Sequence, residues 1–243
     1  MLDSLTYKQF GNRAILIEWP AHIKEETLRD ILRFKNLVTS RKKDFTEELI
    51  TGYNSLTIVY LKEILDFTSE KKSLESLYLE EHSKSQSSNY LWKIPVCYDV
   101  EFGIDLEETS RTLNLSIEEI IDLHSQAIYA VYFIGFLPGF LYLGGLDNRL
   151  ELKRKSDPIL QVSKGSVAIG GSQTGVYPKN SAGGWNIIGK TPLYFFNLEN
   201  NNPCFAKPGD KIQFYPISLE GFKKLEIEVK IGVFKPTKIK LNG

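Results

Sequence analysis

GGWNIIGKT, Gly183 to Thr191, decides how the second half of this 243-residue chain is built. From Gly184 onward it matches the phosphate-binding loop pattern letter for letter: a glycine, four residues, then Gly189, Lys190 and Thr191. A working loop of that kind follows a buried strand and opens a helix, because phosphates rest on successive loop amides and on the positive helix N-terminus. Here the four intervening residues are Trp-Asn-Ile-Ile, too bulky and apolar to wrap a phosphate, and Thr191 is followed by Pro192-Leu-Tyr-Phe-Phe196, which reads as a strand. Chance alone produces the pattern in roughly one chain in a hundred at average composition. The stretch is therefore not read as a phosphate-binding loop, with Lys190 still free to contact an anion.

Working outward, eleven of the eighteen glycines lie between Gly135 and Gly189, so the backbone there bends sharply or approaches something closely. Between Pro158 and Leu198 there is no Asp, Glu, His or Arg, while Lys164, Lys179 and Lys190 are present. Such a segment can receive an anion but supplies no carboxylate or imidazole base. Its polar members, among them Ser166, Gln173, Thr174 and Tyr177, suit hydrogen bonding to phosphate, carboxylate or amide. Three distant cationic stretches are expected to converge on one concave receptor.

Upstream, residues 127–146 (AIYAVYFIGFLPGFLYLGGL) run without a charge for about the length of a membrane span. Pro138-Gly139 in the middle and six aromatics from Tyr129 to Tyr142 favour strands around a packed turn instead. Ser116-Ile-Glu-Glu119 is a capping box that opens a helix to about His124. Leu91–Cys97 reads as a strand broken by Pro95. After Gln126 helical periodicity ends; Leu225–Val233 alternates strictly and reads as a strand, and Lys207-Pro-Gly-Asp210 as a turn. Many short strands between glycine turns suggest a barrel. The first part has the order ββα, ββα: hairpins around Gly11-Asn12 and Gly52-Tyr-Asn54, and helices over Lys24–Val38 and Thr68–Glu81. Residues 82–89, HSKSQSSN, have linker composition.

Thirty basic against thirty acidic residues give zero formal charge, which argues against nucleic-acid or membrane binding by a global field. Cys97 and Cys204 and three scattered histidines form neither a disulfide framework nor a metal centre, and the N-terminus lacks a signal-peptide core, so a cytoplasmic location is expected.

The chain resembles the family of B-type 5-oxoprolinase subunits, also known as KipI and allophanate hydrolase subunit 1. The resemblance rests on Ile94–Tyr98, Leu123–Ser125, Phe133-Ile-Gly-Phe-Leu-Pro-Gly-Phe-Leu-Tyr-Leu143, Gly165-Ser-Val-Ala-Ile-Gly-Gly171, Gln173-Thr-Gly-Val-Tyr-Pro178, Gly183–Gly189 and Lys207–Asp210. It implies an α+β protein with a small N-terminal domain (1–85) and a C-terminal cyclophilin-like β-barrel (90–243). The implied function is that of one subunit of an ATP-dependent 5-oxoprolinase, which hydrolyses 5-oxo-L-proline to L-glutamate with cleavage of ATP to ADP and phosphate, with or without Mg and with no metal held by this chain. Its partners would be a second cyclophilin-like subunit of the C type and a lactam-utilisation subunit of the A type. The alternatives are an inhibitor docking on a sporulation-type histidine kinase and an allophanate or urea-amide hydrolase subunit. Prolyl isomerisation, suggested by the barrel's name, is disfavoured because it is expected to use an arginine and none follows Arg154.

Carried over by position, the substrate or nucleotide site comprises Lys164, Gly165, Ser166, Gln173, Thr174, Tyr177, Gly183, Gly184, Trp185 and Lys190. Phe136, Pro138, Gly139, Phe140 and Tyr142 line a pocket or meet a partner; no catalytic residue is assigned. Where the family has Pro-Ala-Gly-Ser this chain has Ser163-Lys-Gly-Ser166, and Ser181-Ala stands for Ser-Pro. Ile159 replaces an arginine often found after the proline, which leaves Lys164 as a point-charge substitute.

Overall fold

A computed structural model describes residues 5–21, 24–80 and 89–241. The chain separates into two compact units, Met1–Ser87 and Ser88–Gly243. The linker-like stretch 82–89 lies, apart from Asn89, outside the described residues.

In the first unit β1 (Thr6–Gln9), β2 (Ala14–Glu18), α1 (Glu25–Lys42), β3 (Thr46–Thr51), β4 (Ser55–Tyr60) and α2 (Phe67–Tyr78) follow the expected ββα, ββα order. The antiparallel sheet runs β1-β2-β4-β3. Its period-2 residues Ile15, Ile17, Leu56 and Ile58 meet the helical stripe Ile31, Phe34, Leu37, Val38, Leu74 and Leu77, all buried. Each such side chain contributes about 1.5–3 kcal/mol of burial. Asp30 ties the layers together by accepting from the Trp19 indole at 2.7 Å, from Arg33 at 2.9 Å and from the Tyr78 hydroxyl.

The second unit contains β5 (Tyr90–Val96), α3 (Leu106–Leu113), α4 (Ile117–Gln126), β6 (Tyr129–Ile134), β7 (Leu141–Gly144), β8 (Ile159–Val162), β9 (Ser166–Gly170), β10 (Gln173–Val176), β11 (Ser181–Gly183), β12 (Asn186–Lys190), β13 (Lys211–Pro216), α5 (Leu219–Lys230) and β14 (Thr237–Lys240). Among the described residues these form an eight-stranded sheet, β12-β9-β10-β7-β6-β13-β5-β14, and a two-stranded sheet, β11-β8. Only β13 and β5 of the large sheet pair in parallel. Cys97, just past β5, exchanges two hydrogen bonds with Lys190 at the end of β12, at 2.8 and 2.9 Å, so the sheet curls far enough for two distant strands to touch.

Local chemistry explains most of these elements. The capping box is present: Glu119 N–H donates to Ser116 Oγ at 3.1 Å and Ser116 N–H to the Glu119 carboxylate at 2.7 Å. The uncharged stretch 127–146 becomes β6, a tight turn and β7. No helix among the described residues is long and apolar enough to cross a membrane. The turn Lys207–Asp210 closes with Asp210 N–H to Lys207 carbonyl at 3.0 Å, and Gly209 takes φ +92°. The buried Asp210 carboxylate then accepts from the Tyr90 and Lys207 amides and the Trp92 indole, at 2.9, 3.1 and 3.0 Å, which anchors the turn to β5.

Four sequence expectations are corrected. Leu225–Val233 is not a strand: α5 takes it up to Lys230 and a turn follows, the helix being capped by Ser218 Oγ accepting from Gly221 N–H at 3.1 Å and anchored by the buried Phe222. Helical structure therefore does not end at Gln126. Pro192–Phe196 is irregular rather than extended. Pro95 does not break β5, because β14 pairs only with Tyr90–Lys93 and the strand has no ladder partner on that side where proline lacks its N–H.

Candidate functional site

The glycine-rich strands carry different chemistry on their two faces. Alternation sends Leu141, Leu143, Val167, Ile169 and Val176 into the main core. The other face presents Ala168, Gly170, Gly175 and Tyr142, covered by a second cluster containing Phe140, Val162, Tyr177, Trp185 and Ile187. Its rings meet edge to face: Phe140 lies 5.5 Å from both Tyr177 and Trp185, and Trp185 lies 6.2 Å from Tyr142. Missing Cβ atoms make this possible. A methyl on Gly170 would stand 2.6 Å from the Trp185 ring, and one on Gly175 would stand 3.1 Å from Phe140. The close approach implied by the glycines is thus made by the chain's own aromatic side chains.

The rim of this cluster is open. Half-buried Phe133 and Tyr142 stack at 4.2 Å. Phe136, at the tip of the β6–β7 turn, has φ +65° and is 62% exposed, with its ring 5.6 Å from Phe140. A bulky residue in that backbone region is strained, and its exposed ring is available to another surface. Pro138 beside it is exposed, whereas Gly139 is packed against Phe195 and Phe196. On the opposite rim the exposed Arg154 guanidinium lies 5.5 Å from the Trp185 ring centroid. Burial raises the Tyr142 and Tyr177 phenols above their usual range; the Trp185 backbone N–H at Tyr177 and the nearby Arg154 charge oppose that rise.

The structure does not bring the residues named from sequence together as one receptor. Ser166 pairs with Lys190 at one end of β9, whereas Gln173 pairs with Gly170 at the other, four residues or roughly 13 Å away. The expected convergence of Lys164, Lys190 and Gln173 is therefore corrected: the hairpin separates Gln173 from the two lysines, whose ammonium groups rest on different rings. Lys190 lies in β12 with its ammonium 5.1 and 5.8 Å from the Phe102 and Phe222 rings, and its N–H is bound to the Cys97 carbonyl. Lys164 lies 3.5 Å over the Tyr194 ring, and desolvation lowers its pKa. Gly165 fits against the Thr191 carbonyl, Gly183 against the Tyr177 ring, and Gly184, just before Trp185, accepts from Lys155 N–H at 2.7 Å. Ser166 is buried.

Thr174 points inward, to a sealed line of polar groups. Its hydroxyl donates to the Ala168 carbonyl at 3.0 Å and meets His124 Nε2 at 2.8 Å, while His124 Nδ1 meets the Tyr98 hydroxyl at 2.7 Å. His124 is fully buried and stacks on Phe214 at 4.7 Å. Burial pushes its pKa down to about 3, so it is a neutral structural element and not an accessible base. Gln173 Oε1 is buried without a hydrogen-bond partner. Sequence reading missed Arg154; the available signal was the last arginine of the chain, in Lys153-Arg-Lys155 shortly before the acid-free, glycine-rich segment.

Residues 5–206 match the model of the carboxyltransferase domain, subdomain C and D. The chain is 37% identical over 221 residues to the B-type 5-oxoprolinase subunit of Bacillus subtilis (strain 168), covering 87% of this chain and 92% of that one. It belongs to the family of B-type 5-oxoprolinase subunits. The Escherichia coli O157:H7 member of the same name is also 37% identical, over 169 residues, with 70% of this chain and 77% of that one covered. The crystal structure of TTHA0988 superposes with TM-score 0.73 at 29% identity, over 85% of this chain and 40% of that one, so this chain spans less than half of it. The K. lactis urea amidolyase gives TM-score 0.82 at 19% identity over 98% of this chain and 16% of that one, a likeness of fold alone.

Proposed function

We propose that this chain is the B-type subunit of an ATP-dependent 5-oxoprolinase, which opens 5-oxo-L-proline to L-glutamate as ATP is cleaved to ADP and phosphate. The observation that carries the reading is identity over nearly the full length of both chains, 87% and 92%, to a relative named as that subunit. A five-membered lactam is a resonance-stabilised amide, so its hydrolysis benefits from coupling to ATP, and the charge developing on its oxygen needs fixed donors.

The Walker-like stretch does not fit a triphosphate. Its lysine is covered by rings and its last amides are committed to β12 and the Cys97 bridge. We therefore assign this chain the binding and orientation of the amide and no nucleotide step. The open aromatic face offers rings and a guanidinium but no group that exchanges protons near neutral pH, since arginine cannot act as a base and burial raises the tyrosines. That argues for partner chains completing the site: a second subunit of the C type and a lactam-utilisation subunit of the A type, with exposed Phe136 and Pro138 at the meeting surface. The two-hydrogen-bond link between Cys97 and Lys190 supports assigning the second unit to the cyclophilin-like barrels. Two free thiols accord with a reducing cytoplasm.

The test is reconstitution of the chain with those two subunits, followed by an assay of glutamate release from 5-oxoproline. ATP-dependent release that needs this chain is expected. No release from three soluble, folded proteins would overturn the proposal.

A further inference from the structure

The segment Leu152–Lys155 is strapped across the aromatic cluster. Leu152 and Gly171 exchange backbone bonds at 3.3 and 2.7 Å, and the Lys153 carbonyl accepts from Asn186 Nδ2 at 3.0 Å. Lys155 N–H donates to the Gly184 carbonyl at 2.7 Å, and its ammonium pairs at 2.7 Å with the buried Asp105 carboxylate, which also receives the Ile187 N–H at 2.8 Å. Arg154 stands in the middle of this strap with none of its neighbours' obligations. Among the described residues no carboxylate lies within ion-pair distance of it, and the guanidinium rests on the face of Trp185. A guanidinium laid on a ring keeps its in-plane N–H donors free at the edge, in the fork that matches a carboxylate.

We propose that Arg154 is the carboxylate-recognition residue of this face, holding the ring-borne carboxylate of a cyclic amide acid while the aromatic rim takes the ring's apolar edge. The inference rests on the reading of the chain as a 5-oxoprolinase subunit and adds the residue that selects the substrate. A strap anchored on both sides pre-organises the guanidinium, so little rotamer freedom is lost on binding. The Arg154 charge opposes the burial-driven rise of both the Tyr142 and the Tyr177 phenol. The face thus lacks one anion, and a lactam bearing a carboxylate carries it.

The test uses the reconstituted complex with Arg154→Gln and Arg154→Lys, assayed on 5-oxoproline and on its neutral counterpart 5-oxoprolinamide. Arg154→Gln should raise KM for 5-oxoproline by about 10- to 100-fold. It should also leave kcat within a few-fold, abolish the preference for the acid over the amide and leave thermal unfolding in place; Arg154→Lys should recover part of the preference. An active wild-type complex whose Arg154→Gln form keeps both KM and preference overturns the inference while sparing the functional reading. An inactive wild-type complex overturns that reading instead, and the inference is then decided by titrating the chain itself with 5-oxo-L-proline and following tryptophan fluorescence. A saturable change lost in Arg154→Gln upholds it; no saturable change in the wild type overturns it.

Discussion

On the inner face of β9 and β10, Thr174, His124 and Tyr98 answer one another in a closed line, and the Ala168 carbonyl terminates it. Over the outer face of the same strands, the exposed Arg154 has a charge without a counterion among the described residues. The inner face is filled by branched aliphatic side chains; the outer one removes Cβ atoms so that rings can lie flat on the backbone. Satisfied polar groups in a sealed core stabilise a fold, whereas leftover bonding capacity at a rim is what a ligand can use. One pair of strands serves both purposes because its side chains alternate.

The sharpest way to break this contrast is His124→Ala. It removes a stacked ring and strands two buried hydroxyls, so it should cost about 3–5 kcal/mol of stability in denaturant unfolding. The same residue gives a pH signature. Its folded pKa, about 3, is below the unfolded value near 6.5, so the unfolded chain binds the extra proton between those limits. Stability is fully present above about pH 6.5 and declines as the pH falls toward 3, by on the order of 2 kcal/mol at pH 5. A variant with His124→Gln should show a shallower acid slope; an unchanged slope would mean the ring is not sealed. Next in size is Gly170→Val on the outer face. Its side chain collides with Trp185, so a loss of about 1–3 kcal/mol and a changed near-ultraviolet tryptophan signal are expected, and a silent substitution would remove the seat argued for that ring. The smallest effect is expected from Lys190→Met. Losing its contacts with Phe102 and Phe222 should cost about 0.5–1 kcal/mol and spare ATP-dependent glutamate release. Complete loss of activity with an intact fold would reinstate the phosphate-loop reading.

What the sequence disclosed follows from how local each signal is. The capping box, the Gly11-Asn12 and Gly52–Asn54 hairpins and the aromatic turn depend on neighbouring residues, and they are where the sequence places them. The helix α5 was misread because only Phe222 among its residues is fully buried. A helix with so small an interior face imposes no 3.6-residue pattern, and its alternation of Glu and Lys with exposed Ile227 is then incidental. Helix α3 escaped notice because it is eight residues long and ends at Asn114 in the left-handed region at φ +54°. At the site, glycine density correctly signalled close approach but could not say what approaches. Cationic residues seemed to converge only because separation along a strand is invisible in composition.

The Cys97–Lys190 bridge has a mechanical consequence. It acts as a clasp on a bent ribbon: two hydrogen bonds join strands that are otherwise six places apart in the sheet order. Prising it open would swing β12 outward by its C-terminal end, and Trp185 immediately precedes that strand. The guanidinium's perch therefore depends on a fastening at the far end of the strand, and amide exchange at Cys97 and Lys190 would report how often the platform is let go.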